Sequence, residues 1–264
     1  MEPWQILVGL IQGLVEWLPI SSEGNAVFFL YNFSNVPTND MLLLVVWLHL
    51  GTAIAVIAKY PRDIFEILTL KDRNLFRHLL IATVCTAITA LPLYLFLKES
   101  FTTLQGETIN IFVGCLLLVT AIVLYIPTRQ KADDGQVETI EVSDKKAALT
   151  GLVQGFAVLP GLSRSGVTVS ALLMQRVEKE KALRFSFLMS VPAVLGILAL
   201  EIVSGASLPS SVGIVDLAII EVIVFITGFL SMEFLLRLAQ RIEFWKLCVL
   251  LAAISILFGI TAFL

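Results

Sequence analysis

GLVEWLPISSEGN, residues 13–25, interrupts an apolar run near the start of the 264-residue chain with a carboxylate, a proline, two serines, a second carboxylate and a glycine. A helix dissolved in lipid has no use for any of these. Non-helical backbone is tolerated at membrane depth only where protein or a water-filled cavity surrounds it. The meaning of the stretch therefore depends on whether the chain around it lies in a membrane.

The surrounding composition is that of an integral membrane protein. Hydrophobic residues make up 58% and charged residues 15%, with a mean hydropathy of +0.92, against about 25% charged in soluble domains. Met41 to Ala58, His78 to Leu97, Ile109 to Thr128 and Leu247 to Leu264 are uncharged runs, and Phe185 to Val203 and Val215 to Leu236 are apolar runs that carry acids. Each has the roughly 17 to 25 residues a helix needs to cross the hydrocarbon. The expectation is an all-α, polytopic, multi-pass protein of the cell membrane with about six transmembrane helices.

Several other classes find no support. Met-Glu-Pro-Trp at the start lacks a basic n-region, so no cleaved signal is expected. Cys85, Cys115 and Cys248 each lie in an apolar run without CxxC spacing or histidine partners, which predicts packing rather than a disulfide or zinc site. A net charge of −3, with the positive charge confined to loops, gives no sign of a nucleic-acid partner.

The opening stretch occurs twice. GLIQGLVEWLPISSEG at 9–24 aligns, with one gap, to GLVQGFAVLPGLSRSG at 151–166, pairing Gly9 with Gly151, Gln12 with Gln154, Ser21 with Ser163 and Gly24 with Gly166. The chain thus reads as one membrane domain made of two repeats, 1–128 and 147–264, joined by a charged cytoplasmic linker at 129–146. Segments 59–77, 129–146, 176–184 and 237–246 hold 5, 4, 4 and 3 Lys or Arg, which is 16 of the 18, whereas 33–41 and 204–214 hold none. The positive-inside rule places the first four in the cytoplasm and the last two outside. Counting crossings, 147–177 must then leave and return on the cytoplasmic side, and the segment before Met41 must do so from outside. Both are expected to be re-entrant hairpins of an inverted-topology repeat, meeting near the midplane where such folds keep their polar sites.

The repeats differ where chemistry is concentrated. Glu16 has only Ala157 or Val158 opposite it, and Ser22 is answered by Arg164. A guanidinium is always charged and presents a planar fork of donors suited to phosphate or carboxylate oxygens. Gln12 and Glu16, four apart, share a helix face leading to Ser21 and Ser22. A carboxylate held there can act as general base to a hydroxyl, position a water or bind a divalent metal. A cavity so lined suits the anionic head of a membrane lipid and phosphoryl transfer from it, with Arg164 stabilising the equatorial oxygens and Ser22 or water attacking in line. The plainer alternatives are a buried Glu16–Arg164 ion pair pinning the repeats together, and capping roles for Ser21 and Ser163. His49 reads as a packed or hydrogen-bonded intramembrane residue and His78 as a loop end. Glu201, Asp216, Glu221 and Glu233 read as groups at interfaces or between helices, any one of which can line the cavity.

On QGLVEWLPISSEG at 12–24, LPGLSRSG at 159–166 and RFSFLMSVPAVLG at 184–196, with a weaker echo in LHLGTAIAVI at 48–57, the chain resembles the bacitracin-resistance family of undecaprenyl-diphosphate phosphatases. The resemblance implies hydrolysis of a long-chain polyprenyl diphosphate to the monophosphate and inorganic phosphate, recycling a glycan carrier lipid. It implies Glu16, Ser22 and Arg164 as catalytic residues, and Gln12, Ser21, Asn25, Gly161, Ser163, Ser165 and Gly166 around the substrate. A divalent cation, magnesium or calcium, would be held by Gln12 and Glu16, and a homodimer is compatible with the pattern. The family usually reads Ser-Ser-Thr-Gly-His in the first loop, and here it is Ser21-Ser22-Glu23-Gly24-Asn25. An amide cannot shuttle a proton, so proton transfer falls to Glu16, helped by Glu23, or else the protein carries or flips a polyprenyl phosphate without hydrolysing it.

Overall fold

In the computed structural model, which describes residues 1–103, 107–130, 141–205, 208–238 and 243–261, every regular element is helical. Pro3 occupies the first turn of α1 (Pro3–Val15), where its missing N–H costs nothing, and Glu2 and Gln5 close a capping box ahead of it. α1 stops short of Pro19, whose ring disfavours helix at the residue before it. The chain turns, and α2 (Ser22–Phe33) begins. α3 (Thr38–Lys59), α4 (Pro61–Leu68), α5 (Arg73–Thr103) and α6 (Thr108–Gln130) complete the first half. The second half comprises α7 (Asp144–Gly155), a single 3-10 turn at Phe156–Val158, α8 (Arg164–Met174), α9 (Lys179–Val203), α10 (Ile214–Leu238) and α11 (Phe244–Thr261).

Six helices, α3, α5, α6, α9, α10 and α11, are long and apolar enough to cross a membrane. The protein is an all-helical, multi-pass membrane protein. Most of these helices overrun the apolar runs of the sequence. α5 begins among Arg73 and Arg77, so His78 is helical rather than a loop end, with Nε2 3.1 Å from Asp144 Oδ1. Charged residues continue a helix readily once it has left the hydrocarbon, so hydropathy underestimates its length. Residues 131–140 of the expected linker, 206–207 and 239–242 of the expected loops, and the last residues of the expected run to Leu264 lie outside the described residues.

The short helices pack across the halves. α1 lies along α10 and α7 along α5, while α3 meets α9 and α6 meets α11. Small residues set the approach. A side-chain carbon at Gly13 would collide with Thr227 Oγ1 and the Val224 carbonyl of α10, and one at Gly155 would collide with Thr89 Oγ1 and Ala90 N of α5. Close backbone approach at glycines spaced four apart, here Gly9/Gly13 and Gly151/Gly155, is a common way for helices to associate in lipid. Trp17, fully buried, donates from Nε1 to the Gly228 carbonyl at 2.8 Å and meets Phe187 edge-on at 5.4 Å. It fixes the turn after α1 against α10 and α9.

Candidate active site

The two turns 16–21 and 159–163 meet in the interior. Ser21, with φ 59, caps α2: its Oγ accepts from Gly24 N and, across the halves, from Gly161 N, both at 3.1 Å. Ser163 caps α8 in the same way by accepting from Gly166 N at 3.1 Å. Ser165 Oγ donates to the Leu18 carbonyl at 3.1 Å, tying the second turn back to the first. Gly161 has φ +118, and a Cβ there would come within 2.6 Å of Leu116 Cβ and 2.7 Å of the Val113 carbonyl oxygen of α6. Only glycine fits such a backbone in that space.

At this junction stands Glu16, the C-cap residue of α1, with its side chain 3% exposed. Its Oε2 accepts from Ser22 Oγ at 2.5 Å and from Gln12 Nε2 at 2.9 Å, and Oε1 accepts from Arg164 Nη2. Arg164 Nη1 is buried and has no partner among the described residues. His49, on α3, places Nε2 3.6 Å from Glu16 Oε2. A cavity of about 500 Å³ opens from this cluster. Glu16, Ser22 and Arg164 are at its polar part with Ser21, Ser163 and Ser165, and Ala90 and Leu91 of α5 and Ile197 and Leu200 of α9 are among its apolar walls. The first turns of α2 and α8 both line it. Two helix N-termini therefore converge on one space, an arrangement that favours an anion.

The ten residues singled out in the sequence divide into three groups. Six line the cavity: Glu16, Ser21, Ser22, Ser163, Arg164 and Ser165. Gln12 stands behind Glu16 and orients it. Gly161 and Gly166 serve the turns, as does Asn25, whose Nδ2 donates to the carbonyls of Ile20 at 2.9 Å and Ser21 at 2.7 Å. Asn25 thus secures the turn, and it is not among the residues that line the cavity. Among the four other acids, none is a cavity wall: Glu201 sits between α5 and α9, accepting from Tyr94 Oη at 2.9 Å and Lys98 Nζ at 2.8 Å, and Glu221 accepts from Gly51 N at 2.7 Å. His49, Gln154, Thr86 and Tyr94 line the cavity without having been anticipated there. The only sequence signal for His49 was its place in the echo at 48–57.

Gln12 and Glu16 do not by themselves complete a divalent-cation site, although Gln12 Oε1 is buried without a partner among the described residues. Both Glu16 oxygens already accept, one of them from a guanidinium, and a second cation there would meet a like charge. Among the described residues no three His, Cys, Asp or Glu side chains stand close enough to hold a metal by themselves, so a cation here would take most of its oxygens from water and substrate phosphate.

Comparison with known proteins identifies the family. The model of the family described as bacitracin resistance protein BacA matches residues 5–257. An undecaprenyl-diphosphatase of Methanopyrus kandleri is 36% identical, covering 99% of this chain and 98% of that protein. One of Methanothrix thermoacetophila is 36% identical over 97% and 96%, and one of Christiangramia forsetii 34% over 89% of each. With a match over nearly its whole length, and with its paired Ser-rich turns meeting around Glu16 and Arg164, the chain belongs to the bacitracin resistance protein BacA family.

Proposed function

We propose that this chain hydrolyses a long-chain, undecaprenyl-type polyprenyl diphosphate to the monophosphate and inorganic phosphate, returning a glycan carrier lipid to use. The relatives named undecaprenyl-diphosphatase support the reaction. The observation that carries it to this chain is the contact of Ser22 Oγ with Glu16 Oε2 at 2.5 Å, beside Arg164. A serine hydroxyl donating to a buried carboxylate is a nucleophile with its base in place. Arg164 Nη1 and the first turns of α2 and α8 supply donors for the phosphoryl oxygens as charge builds in the transition state.

In this reading Ser22 attacks the terminal phosphorus, the bridging P–O bond breaks, and polyprenyl monophosphate leaves. Water then releases the phosphate from Ser22. Gln12 holds Glu16 in position, Ser21, Ser163 and Ser165 shape the turns around the headgroup, and Gly161 and Gly166 let the backbone come close. The apolar walls on α5 and α9 receive the first isoprene units. Every one of these groups comes from one chain.

We infer further that the fold is an inverted repeat of residues 1–128 and 147–264 about the cytoplasmic linker, in the cell membrane, with α1–α2 and α7–α8 as re-entrant hairpins from opposite faces. The exchange of partners supports this: α1 packs on α10 as α7 packs on α5, with Gly13 and Gly155 at matching contacts. The test of function is phosphate release from undecaprenyl diphosphate by the purified chain in detergent, with Glu16→Ala and Ser22→Ala beside it. Release by the unmodified chain, lost in both variants, is expected. Bound lipid with no release by the unmodified chain would make it a carrier instead.

A further inference from the structure

His49 lies in the interior of α3, and the chemistry so far gives it no task. Its Nδ1 is 2.7 Å from the carbonyl oxygen of Val45, one turn back. A carbonyl only accepts, so the ring proton sits on Nδ1 and Nε2 of the neutral imidazole carries a lone pair. That nitrogen is 3.6 Å from Glu16 Oε2, the same oxygen that accepts from Ser22, and the imidazole lines the cavity. Two acceptors face each other there at rest, so the contact becomes a hydrogen bond only once a proton reaches Glu16 Oε2, and catalytic contacts of this kind are often long in ligand-free sites.

The reaction needs a further proton acceptor at this point. When Ser22 attacks, its proton passes to Glu16 Oε2. A proton that stayed there would turn the acceptor of Gln12 Nε2, which only donates, into a donor, and would remove the negative charge that pairs Oε1 with Arg164 Nη2. Other groups near the imidazole are less suited. Arg164 has no lone pair to offer, Tyr94 from α5 donates to Glu201, and Glu221 from α10 is engaged by Gly51 N on the other side of α3. Glu23, in the first turn of α2, is the remaining carboxylate of the cavity.

Resting on the phosphatase reading, we infer that His49 is the proton relay of this site, taking the Ser22 proton from Glu16 onto Nε2. In the first half the Oγ–H bond breaks, the Oγ–P bond forms and the bridging P–O bond breaks. The proton leaves the imidazolium for solvent. In the second half a water oxygen bonds phosphorus, the water proton passes to Glu16 and on to Nε2, and one returns by way of Glu16 to Ser22 Oγ as the Oγ–P bond breaks. One water yields one polyprenyl monophosphate, one inorganic phosphate and one released proton. His49 acts on the reacting atoms through Glu16, so it is a positioning and relay residue rather than a first contact of the phosphate.

The experiment measures kcat and KM against pH for phosphate release from undecaprenyl diphosphate. It compares the unmodified chain, His49→Gln, His49→Ala with and without added imidazole, and Glu23→Gln, all in detergent. Loss of the relay lowers kcat by about 10²- to 10⁴-fold with KM within about threefold. The acid limb of the kcat profile disappears in His49→Gln, and imidazole restores turnover saturably in His49→Ala. Turnover within about threefold of the unmodified chain in His49→Gln overturns the inference. So does a lowered rate with the acid limb intact and no rescue by imidazole, or an acid limb that vanishes in Glu23→Gln instead. If the unmodified chain releases no phosphate, the phosphatase reading fails before His49 is tested, so the two failures are distinct. Rescue also guards against misfolding, because a chain that imidazole reactivates is folded.

Discussion

Gly24→Ala sets two physical effects against each other. Gly24 sits in the first turn of α2, where alanine is favoured over glycine by about 1 kcal/mol of helix propensity. Yet a Cβ there would stand 2.9 Å from both N and Cα of Gly161, against about 3.5 to 4.0 Å for a relaxed carbon contact. The overlap is therefore about 0.5 to 1 Å, and it is with backbone, which cannot rotate away. Gly161 cannot retreat either, since its own position already lies against Leu116 and Val113 of α6. The displacement must pass to α2. That lengthens the 3.1 Å bond from Gly161 N to Ser21 Oγ, losing about 1 kcal/mol, and moves Ser22 relative to Arg164. A misplacement of about 1 Å can lower a rate about 10²-fold, or roughly 2.7 kcal/mol in the barrier. The propensity gain and the lost bond nearly offset one another in stability. The expected result is a thermal midpoint within a few degrees of the unmodified chain and a kcat about 10²-fold lower in phosphate release. Turnover within about threefold would refute the idea that contact between the two turns positions the nucleophile.

Arg164→Ala should abolish phosphate release and leave Glu16 buried and unpaired, lowering stability by about 3–5 kcal/mol. Adding Glu16→Gln should recover most of the midpoint but no activity, and normal turnover in the single variant would remove Arg164 from the site. Lys98→Met should destabilise the chain by about 1–3 kcal/mol, because Glu201 is buried while Lys98 is half exposed. Glu201→Gln on top should restore it, whereas additive losses in a double-mutant cycle would show that the pair is not coupled. In a background without Cys85, Cys115 and Cys248, single cysteines within 208–214 should label from outside and those within 141–146 from the cytoplasm. Labelling of both from one side would end the inverted-repeat proposal. Titration calorimetry with magnesium or calcium should give no tight uptake by the lipid-free chain, and stoichiometric binding lost in Glu16→Gln would reverse the view taken of the donor set.

The spans were legible because hydropathy is a local property: each of the six runs names its own helix, and only the charged extensions, such as Arg73 to Arg77 on α5, escaped it. The turns were legible for a related reason, since proline, glycine and serine clustered within a few residues break a helix, and broken backbone at membrane depth needs protein or water around it. Asn25 and His49 were not legible, for two different reasons. An amide beside a serine-rich turn suggests a phosphate ligand, but α2 begins at Ser22. One turn into that helix, the Asn25 side chain reaches back to the carbonyls of Ile20 and Ser21, the local competition that short polar side chains offer. His49 sits in a helix so uniformly apolar that its sequence does not say which face turns inward. Glu16, 33 positions earlier in the chain, meets it only because α1 and α3 are brought together by packing.

The self-similarity of the two turns explains why a reactive site arises between them. Ser22 and Arg164 occupy equivalent positions, each the first residue of a helix that starts at the junction. Had both copies kept serine, two hydroxyls would face the cavity with no fixed positive charge among the turn residues. Had both kept arginine, two guanidiniums would share one carboxylate. On the proposed mechanism, a difference at that one position supplies a nucleophile and an anion clamp from the same backbone geometry. Glu16, which has only an apolar residue opposite it, then receives a donor from each side. The turns retain their likeness where it shapes the backbone, at Ser21 and Ser163 and at Gly24 and Gly166, and differ at Ser22 and Arg164, where the side chains meet Glu16.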